Sequence, residues 1–331
     1  MAETPSGENR HIFGPIASRR LGRSLGIDPV PLKTCNWNCV YCQLGRTSPL
    51  EPRRDEYIDA DEVIEELKRH LAEHGEESFD WITFVGSGEP TLHSRLGWMI
   101  REAKRLAHKP VAVITNGALL GDPAVRKELL AADAVMPTVS AGTEQTYLRL
   151  HRPAHGLDFA SFSEGLVAFR NEYDGALWAE VMLVAGYNDD EGELRALREL
   201  LLRIRPDEIQ VVLPTRPPAL PTVRPPSSAR MSLAVKILSA AAPVGAVDGD
   251  AAKPDVSAAG ADLHEVLVGL VQRHPMTETE LVHALNNWAV EEIRDAITAL
   301  TESRRVLSVE RDGRCFYSSG EARYVDGDTS D

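Results

Sequence analysis

The sequence lacks both a secretory signal segment and a membrane-spanning segment. No charged stretch followed by an apolar stretch opens the chain, and no uncharged apolar run is long enough to cross a bilayer. We therefore expect a cytoplasmic protein that makes no membrane contacts. In that compartment thiols stay reduced, so clustered cysteines indicate a metal site or catalysis rather than disulfides.

Positive charge is also scarce, because 36 Lys and Arg face 50 Asp and Glu and the net charge is −14. This balance argues against a protein that coats nucleic acid with a basic surface. The charge is uneven, however, since eight basic residues oppose four acids within residues 1–54. That basic segment suits an anionic substrate or an acidic electron-donor protein such as flavodoxin or ferredoxin, and a solvated face explains it equally well.

Cysteines are few but concentrated. Three of the four share the segment TCNWNCVYCQLG at the spacing C-x3-C-x2-C: Cys35, Cys39 and Cys42. A catalytic nucleophile needs only one thiol with a positioned histidine. A structural zinc ion takes four ligands, and neither His70 nor Cys315 stands at a zinc-site spacing. Three thiolates from one loop instead suit a [4Fe–4S] cluster whose fourth iron stays open to an external chelating ligand.

From residue 26 to about residue 214, short apolar runs alternate with amphipathic helical patterns. The pattern predicts six strands, at 25–32, 81–86, 111–115, 134–140, 177–184 and 208–214. Strands separated by helices indicate right-handed crossovers and a parallel sheet. The pattern does not give the strand order, so an open doubly wound sheet and a partial barrel are equally compatible with it. In either fold, the turns after the strands should line one ligand site.

Two more motifs follow predicted strands: GSGEP at 86–90 and TNG at 115–117. Together with the cysteine spacing, they resemble the signature elements of the radical S-adenosylmethionine (SAM) superfamily, over roughly residues 12–218. The stretch FGPIASRRLGRSLGIDPVPLKTCNWNCVYCQLGRT is further similar to radical SAM proteins related to the wyosine base synthetases, which form the tricyclic guanine base of phenylalanine tRNA. The resemblance implies a partial (β/α)6 TIM-type barrel.

The chain departs from the wyosine base synthetases in several ways. It lacks upstream cysteines for their second cluster, has no flavodoxin-like domain and carries an additional C-terminal unit. These departures leave the substrate open.

The resemblance also implies roles for particular residues. The three cysteines would hold a [4Fe–4S] cluster, and SAM would chelate its open iron. Tyr41 would lie along the adenine, and the segment 86–89 would meet the methionyl amine. The full set of implied SAM contacts is Tyr41, Gly86, Ser87, Gly88, Glu89, Asn116, Ser140 and Asn188. A turn-forming role explains Asn116 and Asn188 equally well. Four basic residues are weaker substrate candidates, with exposed charge or bracing of the first strand as their alternative roles: Arg19, Arg20, Arg23 and Lys33.

Beyond Pro214 the composition changes. A Pro-rich crossing and a helix precede a small, polar stretch, and three helical patterns with a hairpin then resemble a winged helix. This unit has six basic against ten acidic residues, which disfavours DNA and favours a protein-contact or peptide-gripping role. We therefore divide the chain into five parts. They are an N-terminal extension (1–25), the partial barrel with a C-terminal helical extension (26–246), a linker (247–261), a winged-helix-like α+β domain (262–320) and a disordered tail (321–331).

Three functions fit these features. The first is a radical SAM enzyme that acts on a nucleotide or a tRNA base. The second is a radical SAM enzyme that modifies a peptide or a small metabolite. The third is a non-enzymatic iron–sulfur redox regulator that uses the winged helix to bind DNA. The GSGEP and TNG motifs argue against it, because a sensor needs no SAM site.

Overall fold

Our computed structural model describes residues 11–18, 20–245 and 262–324. Over these ranges the chain is an α/β protein with a seven-stranded sheet and a two-stranded sheet. The strands of the large sheet are β1 (Ile12–Ser18), β2 (Gly22–Ile27), β3 (Trp81–Phe84), β4 (Val111–Thr115), β5 (Ala134–Pro137), β6 (Ala176–Met182) and β7 (Glu208–Val212). Strand β1 pairs antiparallel with β2, and every later pair is parallel.

The strands of the large sheet lie in the same order as in the chain. A doubly wound sheet reverses its strand order at a switch point, and this sheet has no reversal. Of the two arrangements that the sequence left open, the consecutive order of β2 to β7 agrees with the partial barrel.

Helices separate the parallel strands along the chain, as the alternating pattern predicts. They are α1 (Ala60–His74), α2 (Leu96–Ala107), α3 (Pro123–Leu129), α4 (Glu144–His151), α5 (Phe159–Glu172) and α6 (Glu191–Ile204). Helix α7 (Ser228–Leu238) follows the last strand of the sheet. Helix α1 shows how local sequence sets these bounds, since the Asp59 carboxylate accepts from Asp61 N and Gly75 ends the helix at φ 74°. Among the described helices, none is both long and apolar enough to cross a membrane.

The two faces of the sheet differ in character. Ile82 and Phe84 are fully buried in the core shared with the helices. Thr83 between them faces the other way, and its hydroxyl lies 2.5 Å from that of Ser24. The face away from the helices therefore carries polar groups among its apolar side chains.

The sheet begins earlier than the sequence predicts. Residues 12–18 and 22–25, which the sequence pattern assigns to an N-terminal extension, form β1 and most of β2. The pattern of β1 is obscured because Gly14 (φ 97°) and Pro15 lie where the register shifts between Phe13 and Ile16. Proline is tolerated in a sheet at such an edge position.

The C-terminal unit, which we define as residues 262–324, contains three helices and an antiparallel hairpin. These are α8 (Leu263–Arg273), α9 (Glu278–Ala284), α10 (Val290–Glu302), β8 (Val306–Arg311) and β9 (Arg314–Ser319). The order and nature of these elements are as predicted, and they enclose their own apolar core. The predicted linker at 247–261 lies outside the described residues, as do residues 325–331 of the predicted tail.

Candidate cofactor site at the carboxyl edge of the sheet

The three clustered cysteines lie on a loop that follows β2. We define this cysteine loop as residues 35–45. It is folded by its own backbone, since Cys42 N donates to Cys39 O and Gly45 N to Cys42 O, each at 3.1 Å. Trp37, 1% exposed, anchors the loop in the protein core. All three clustered cysteines are free and half-buried.

The surroundings of Cys35 and Cys39 favour neutral thiols unless a cation is present. Burial among protein atoms, followed by the charge of Glu89, raises the pKa of Cys35 to about 12. Burial, followed by the neighbouring Cys35 and Cys42, also raises the pKa of Cys39 well above its ordinary value. A metal centre would reverse this preference, because its positive charge deprotonates coordinating thiols.

Lys33, a substrate candidate in the sequence analysis, contacts the cysteine loop. Its Nζ lies 3.2 Å from Cys42 Sγ and donates to Gly45 O at 2.7 Å. Its backbone has φ 64°, and its amide donates to Ser87 O at 2.7 Å. The structure therefore places this positive charge beside a candidate cluster ligand.

The GSGEP segment packs closely against other parts of the protein. A Cβ on Gly86 would lie 1.8 Å from Asp28 Oδ1, and a Cβ on Gly88 would lie 2.2 Å from Thr34 O. Between the two glycines, the backbone and hydroxyl groups of Ser87 donate to Asp28 Oδ2 at 3.1 and 2.8 Å. Both glycines are thus required by internal packing, irrespective of any ligand.

Glu89 joins the GSGEP and TNG motifs. Its carboxylate, 1% exposed, accepts from Thr115 Oγ1 at 2.6 Å and from Asn116 N at 2.7 Å. It also accepts from the backbone and hydroxyl of Thr91. Burial raises the pKa of Glu89, whereas these hydrogen bonds act in the opposite direction.

Asn116 connects this carboxylate to the cysteine loop. Its Nδ2 donates to Asn36 Oδ1 at 2.7 Å and lies 3.8 Å from Cys35 Sγ. Three predicted site residues from three separate segments, Cys35, Glu89 and Asn116, therefore meet at the carboxyl edge of the sheet.

Ser140 and Asn188 also lie close together. Their side chains hydrogen-bond to backbone groups of β6 and of the segments that follow β5 and β6. Asn188 Nδ2 donates to Ser140 O and Met182 O, and its Oδ1 accepts from Val184 N, all at 2.8 Å. Ser140 Oγ accepts from Met182 N at 2.9 Å. Both residues are fully buried, so the structure gives them the role of joining the segments after β5 and β6.

Tyr41 lies beside His151, which is not among the SAM contacts that the resemblance implies. His151 Nδ1 is 3.3 Å from Tyr41 Oη and 3.5 Å from Cys39 Sγ. Its ring stacks on Trp37 with centroids 4.0 Å apart. Burial lowers the pKa of His151 to about 3. A neutral imidazole therefore adjoins the cysteine loop.

The structure describes two of the three arginine candidates, Arg20 and Arg23. Arg23 sits near the start of β2 and donates to the Asp80 carboxylate, with Nη2 2.9 Å from Oδ1. Arg20 Nη2 lies 4.0 Å from Glu180 Oε2. Arg19 is outside the described residues. The position of Arg23 near the start of β2 agrees with bracing of the first parallel strand, one of its two predicted roles.

Among the described residues, the three thiols of the cysteine loop do not enclose a site for a single metal ion. Within the part of the chain that the structure describes, no three His, Cys, Asp or Glu side chains are gathered around one ion-sized point. A cluster spreads its thiolate ligands over separate irons, so it does not require such a point. Three free thiols on one loop therefore fit the group that the spacing indicates.

Two residues of this region escaped the sequence analysis. Asp28 directly follows β2, so the rule that ligand sites form at strand ends could have identified it. Arg273, whose Nε lies 3.0 Å from Asp28 Oδ2, is 245 residues away in the chain and has no local signature.

Residues 30–197 match the family model described as the radical SAM superfamily. A UPF0026 protein of Methanocaldococcus jannaschii is 30% identical over 315 residues, which cover 92% of this chain and 94% of that protein. A protein of Brachyspira hyodysenteriae named GTPase Obg is 42% identical over 209 residues, but the match spans 63% of this chain and only 30% of that relative. Among solved structures, a radical SAM methyltransferase from Sphaerobacter thermophilus has a TM-score of 0.51 at 18% identity, covering 68% of this chain and 65% of the other. That likeness concerns the fold alone.

Proposed function

The chain belongs to the radical SAM superfamily, and from this premise we propose that it is an enzyme that cleaves SAM reductively and abstracts hydrogen from a substrate. The observation that carries the proposal is the meeting of Cys35, Glu89 and Asn116 at the carboxyl edge of a parallel sheet. Parallel α/β folds bind ligands at this edge.

Cys35, Cys39 and Cys42 would hold a [4Fe–4S] cluster. When bound, the cluster would supply the electron that splits SAM into methionine and a 5′-deoxyadenosyl radical. An external donor such as flavodoxin or ferredoxin would deliver that electron.

The remaining site residues would bind SAM and orient it. Tyr41 lies on the cysteine loop beside His151, where it would contact the adenine. Glu89 presents a buried carboxylate held by hydroxyl and amide donors, an arrangement that can also accept from the methionyl ammonium. Ser140 and Asn188 would support the site through the strand ends that they join.

A nucleotide or a tRNA base is the substrate class that we propose first. The similarity of the N-terminal stretch to proteins related to the wyosine base synthetases supports it, as does the local excess of basic residues in 1–54. A peptide or a small metabolite is the second candidate, favoured by the net charge of −14 and by the acidic C-terminal unit, which we interpret as winged-helix-like. DNA suits that unit poorly because α10 opens with Glu291 and Glu292.

The reaction is tested by anaerobic reconstitution of the cluster, followed by SAM and dithionite and mass spectrometry of 5′-deoxyadenosine. We expect the wild type to form this product and Cys39→Ala to lose both a full iron complement and product. Cys315→Ala is the matched control, because Cys315 is exposed on β9 and should change neither. A wild-type protein with a complete cluster and no product would contradict the proposal and favour a redox regulator.

The substrate class is tested separately by binding to total tRNA at low and high salt. Binding to tRNA that weakens with salt would support a nucleic-acid substrate. Absence of binding at every salt concentration would favour a peptide or a small metabolite.

A further inference from the structure

The C-terminal unit lies directly on the rim of the candidate cofactor site. The Gln43 side chain donates to Arg273 O at 3.3 Å and lies 3.2 Å from His274 Nδ1. From the other end of the unit, Tyr324 Oη donates to Gln43 O at 2.7 Å. The cysteine loop therefore touches both the first helix and the last described residue of this unit.

A second set of contacts fixes the unit to the segment after β7. Arg216 pairs with Glu280, with Nη2 3.1 Å from Oε1, and its side chain is 9% exposed. Arg311 Nη2 donates to Pro214 O at 2.6 Å. Because both arginines are largely buried, the unit is held in one orientation over the carboxyl edge.

One contact reaches through this interface to the GSGEP segment. Arg273 Nε lies 3.0 Å from Asp28 Oδ2, with side-chain exposures of 12% and 3%. The guanidinium also covers the Phe13 ring, 4.5 Å from its centroid. The same Oδ2 accepts both hydrogen bonds from Ser87. One carboxylate oxygen thus links α8 to the loop between the two packed glycines.

We propose that Arg273 is a positioning residue that holds the GSGEP loop, through Asp28, in the conformation that binds SAM. Docking of the C-terminal unit and binding of SAM are then coupled. The SAM part of this inference rests on the proposed function, whereas the ordering of the loop by Arg273 does not.

The physical reason is the cost of an unpaired buried charge. If an uncharged residue replaces Arg273, the Asp28 carboxylate is left with only the two Ser87 donors. The Asp28 side chain is 3% exposed. A buried charge that loses its partner relaxes by moving toward water or by taking up a proton. Either response shifts the oxygen that orients Ser87. Linkage requires the reverse effect as well, so SAM should strengthen docking of the unit.

The test compares three variants of the full-length protein: Arg273→Met, Arg305→Met and the double variant Asp28→Asn/Arg273→Met. Arg305 is the matched control because it pairs with Glu265 on the exposed surface of the same unit. The first measurement is amide hydrogen exchange of residues 85–89 in cluster-free protein. The second is SAM affinity by equilibrium dialysis at equal cluster content.

We expect Arg273→Met to speed exchange in this loop and to weaken SAM binding roughly tenfold, within the usual range of coupling between sites. Arg305→Met should match the wild type in both measurements. The double variant should lie between Arg273→Met and the wild type, because asparagine keeps an acceptor for Ser87 and removes the unpaired charge.

A folded Arg273→Met protein with wild-type exchange and wild-type SAM affinity would overturn the proposal. If Arg273→Met does not fold, the double variant decides, and wild-type exchange and affinity in that protein would overturn it equally. If the wild type itself binds no SAM, the proposed function fails, and the exchange measurement alone then decides whether Arg273 orders the loop.

Discussion

At the scale of single residues, a positively charged side chain lies beside one of the clustered cysteine sulfurs. Lys33 illustrates this, since its Nζ reaches Cys42 Sγ at 3.2 Å from a backbone with φ 64°. Reduction adds negative charge to an iron–sulfur cluster, and hydrogen bonds to its sulfurs tune the reduction potential. A cationic donor at this distance should make reduction easier.

We therefore predict that Lys33→Met shifts the reduction potential of the reconstituted cluster to a more negative value. Methionine keeps a similar length and faces the same backbone strain, so the change isolates the charge and the hydrogen bond. The potential would be followed by electron paramagnetic resonance during a redox titration. Lys68→Met, on an exposed part of α1, is the control. An unchanged potential in Lys33→Met would show that the contact does not influence the cluster.

At the scale of elements, the segments after the strands contain both the candidate site residues and the residues that join neighbouring strands. The strand–turn pattern correctly predicted that Cys35, Glu89 and Asn116 gather at one edge, because that follows from parallel strands alone. It did not separate residues that face a ligand from residues that join strands. Asn188 belongs to the second kind, and only the paths of the two segments reveal it.

Asn188→Ala should lower the stability of the protein even without SAM. The change leaves Val184 N and two carbonyl oxygens without a partner in a fully buried place, at a cost of about 2–4 kcal/mol. Denaturant unfolding of the cluster-free protein would measure this loss. Asn171→Ala, at an exposed position, should stay within about 0.5 kcal/mol of the wild type. A stable Asn188→Ala protein that bound SAM poorly would instead assign Asn188 to the ligand.

The first and last residues of the strands were harder to predict than the order of the strands along the chain. The first parallel strand ends at Ile27 rather than at residue 32, because Pro29 and Pro31 lack the amide donors that would continue the ladder. Strand β1 was not predicted for a similar reason, because its Gly14 and Pro15 are typical of a loop. Edge strands tolerate such residues, so their presence in the sheet depends on tertiary pairing.

At the scale of the whole molecule, the sequence predicted the elements of the C-terminal unit but not its position. Each of its helices has local signals, such as the Thr277 and Glu280 capping box of α9. The contacts that dock the unit join residues far apart in the chain, among them Arg273 with Asp28 and Arg216 with Glu280. Nothing in a local pattern specifies such pairs, so docking over the cysteine loop became visible only in the folded chain.

Docking should also make the stability of the molecule depend on pH, through His274. Burial, with the Arg216 guanidinium as the second cause and Glu280 acting in the opposite direction, lowers the pKa of His274 to about 3. An unfolded histidine takes up a proton near pH 6.5, so between these values the unfolded state binds more protons than the native state. Stability must therefore fall as the pH is lowered below about 6.5.

We predict that His274→Gln makes the protein less sensitive to mild acid. Glutamine can still accept from the Gln43 side chain, which faces His274 at 3.2 Å, but it takes up no proton. Denaturant unfolding at pH 7.5 and pH 5.5 should show a loss for the wild type that exceeds the loss for the variant by about 1 kcal/mol. The control is His155→Gln, which removes a histidine from an exposed position outside the C-terminal unit. An equal loss in wild type and His274→Gln would mean that His274 is protonated in the native state as readily as in the unfolded chain, and the interface would then contribute no such pH dependence.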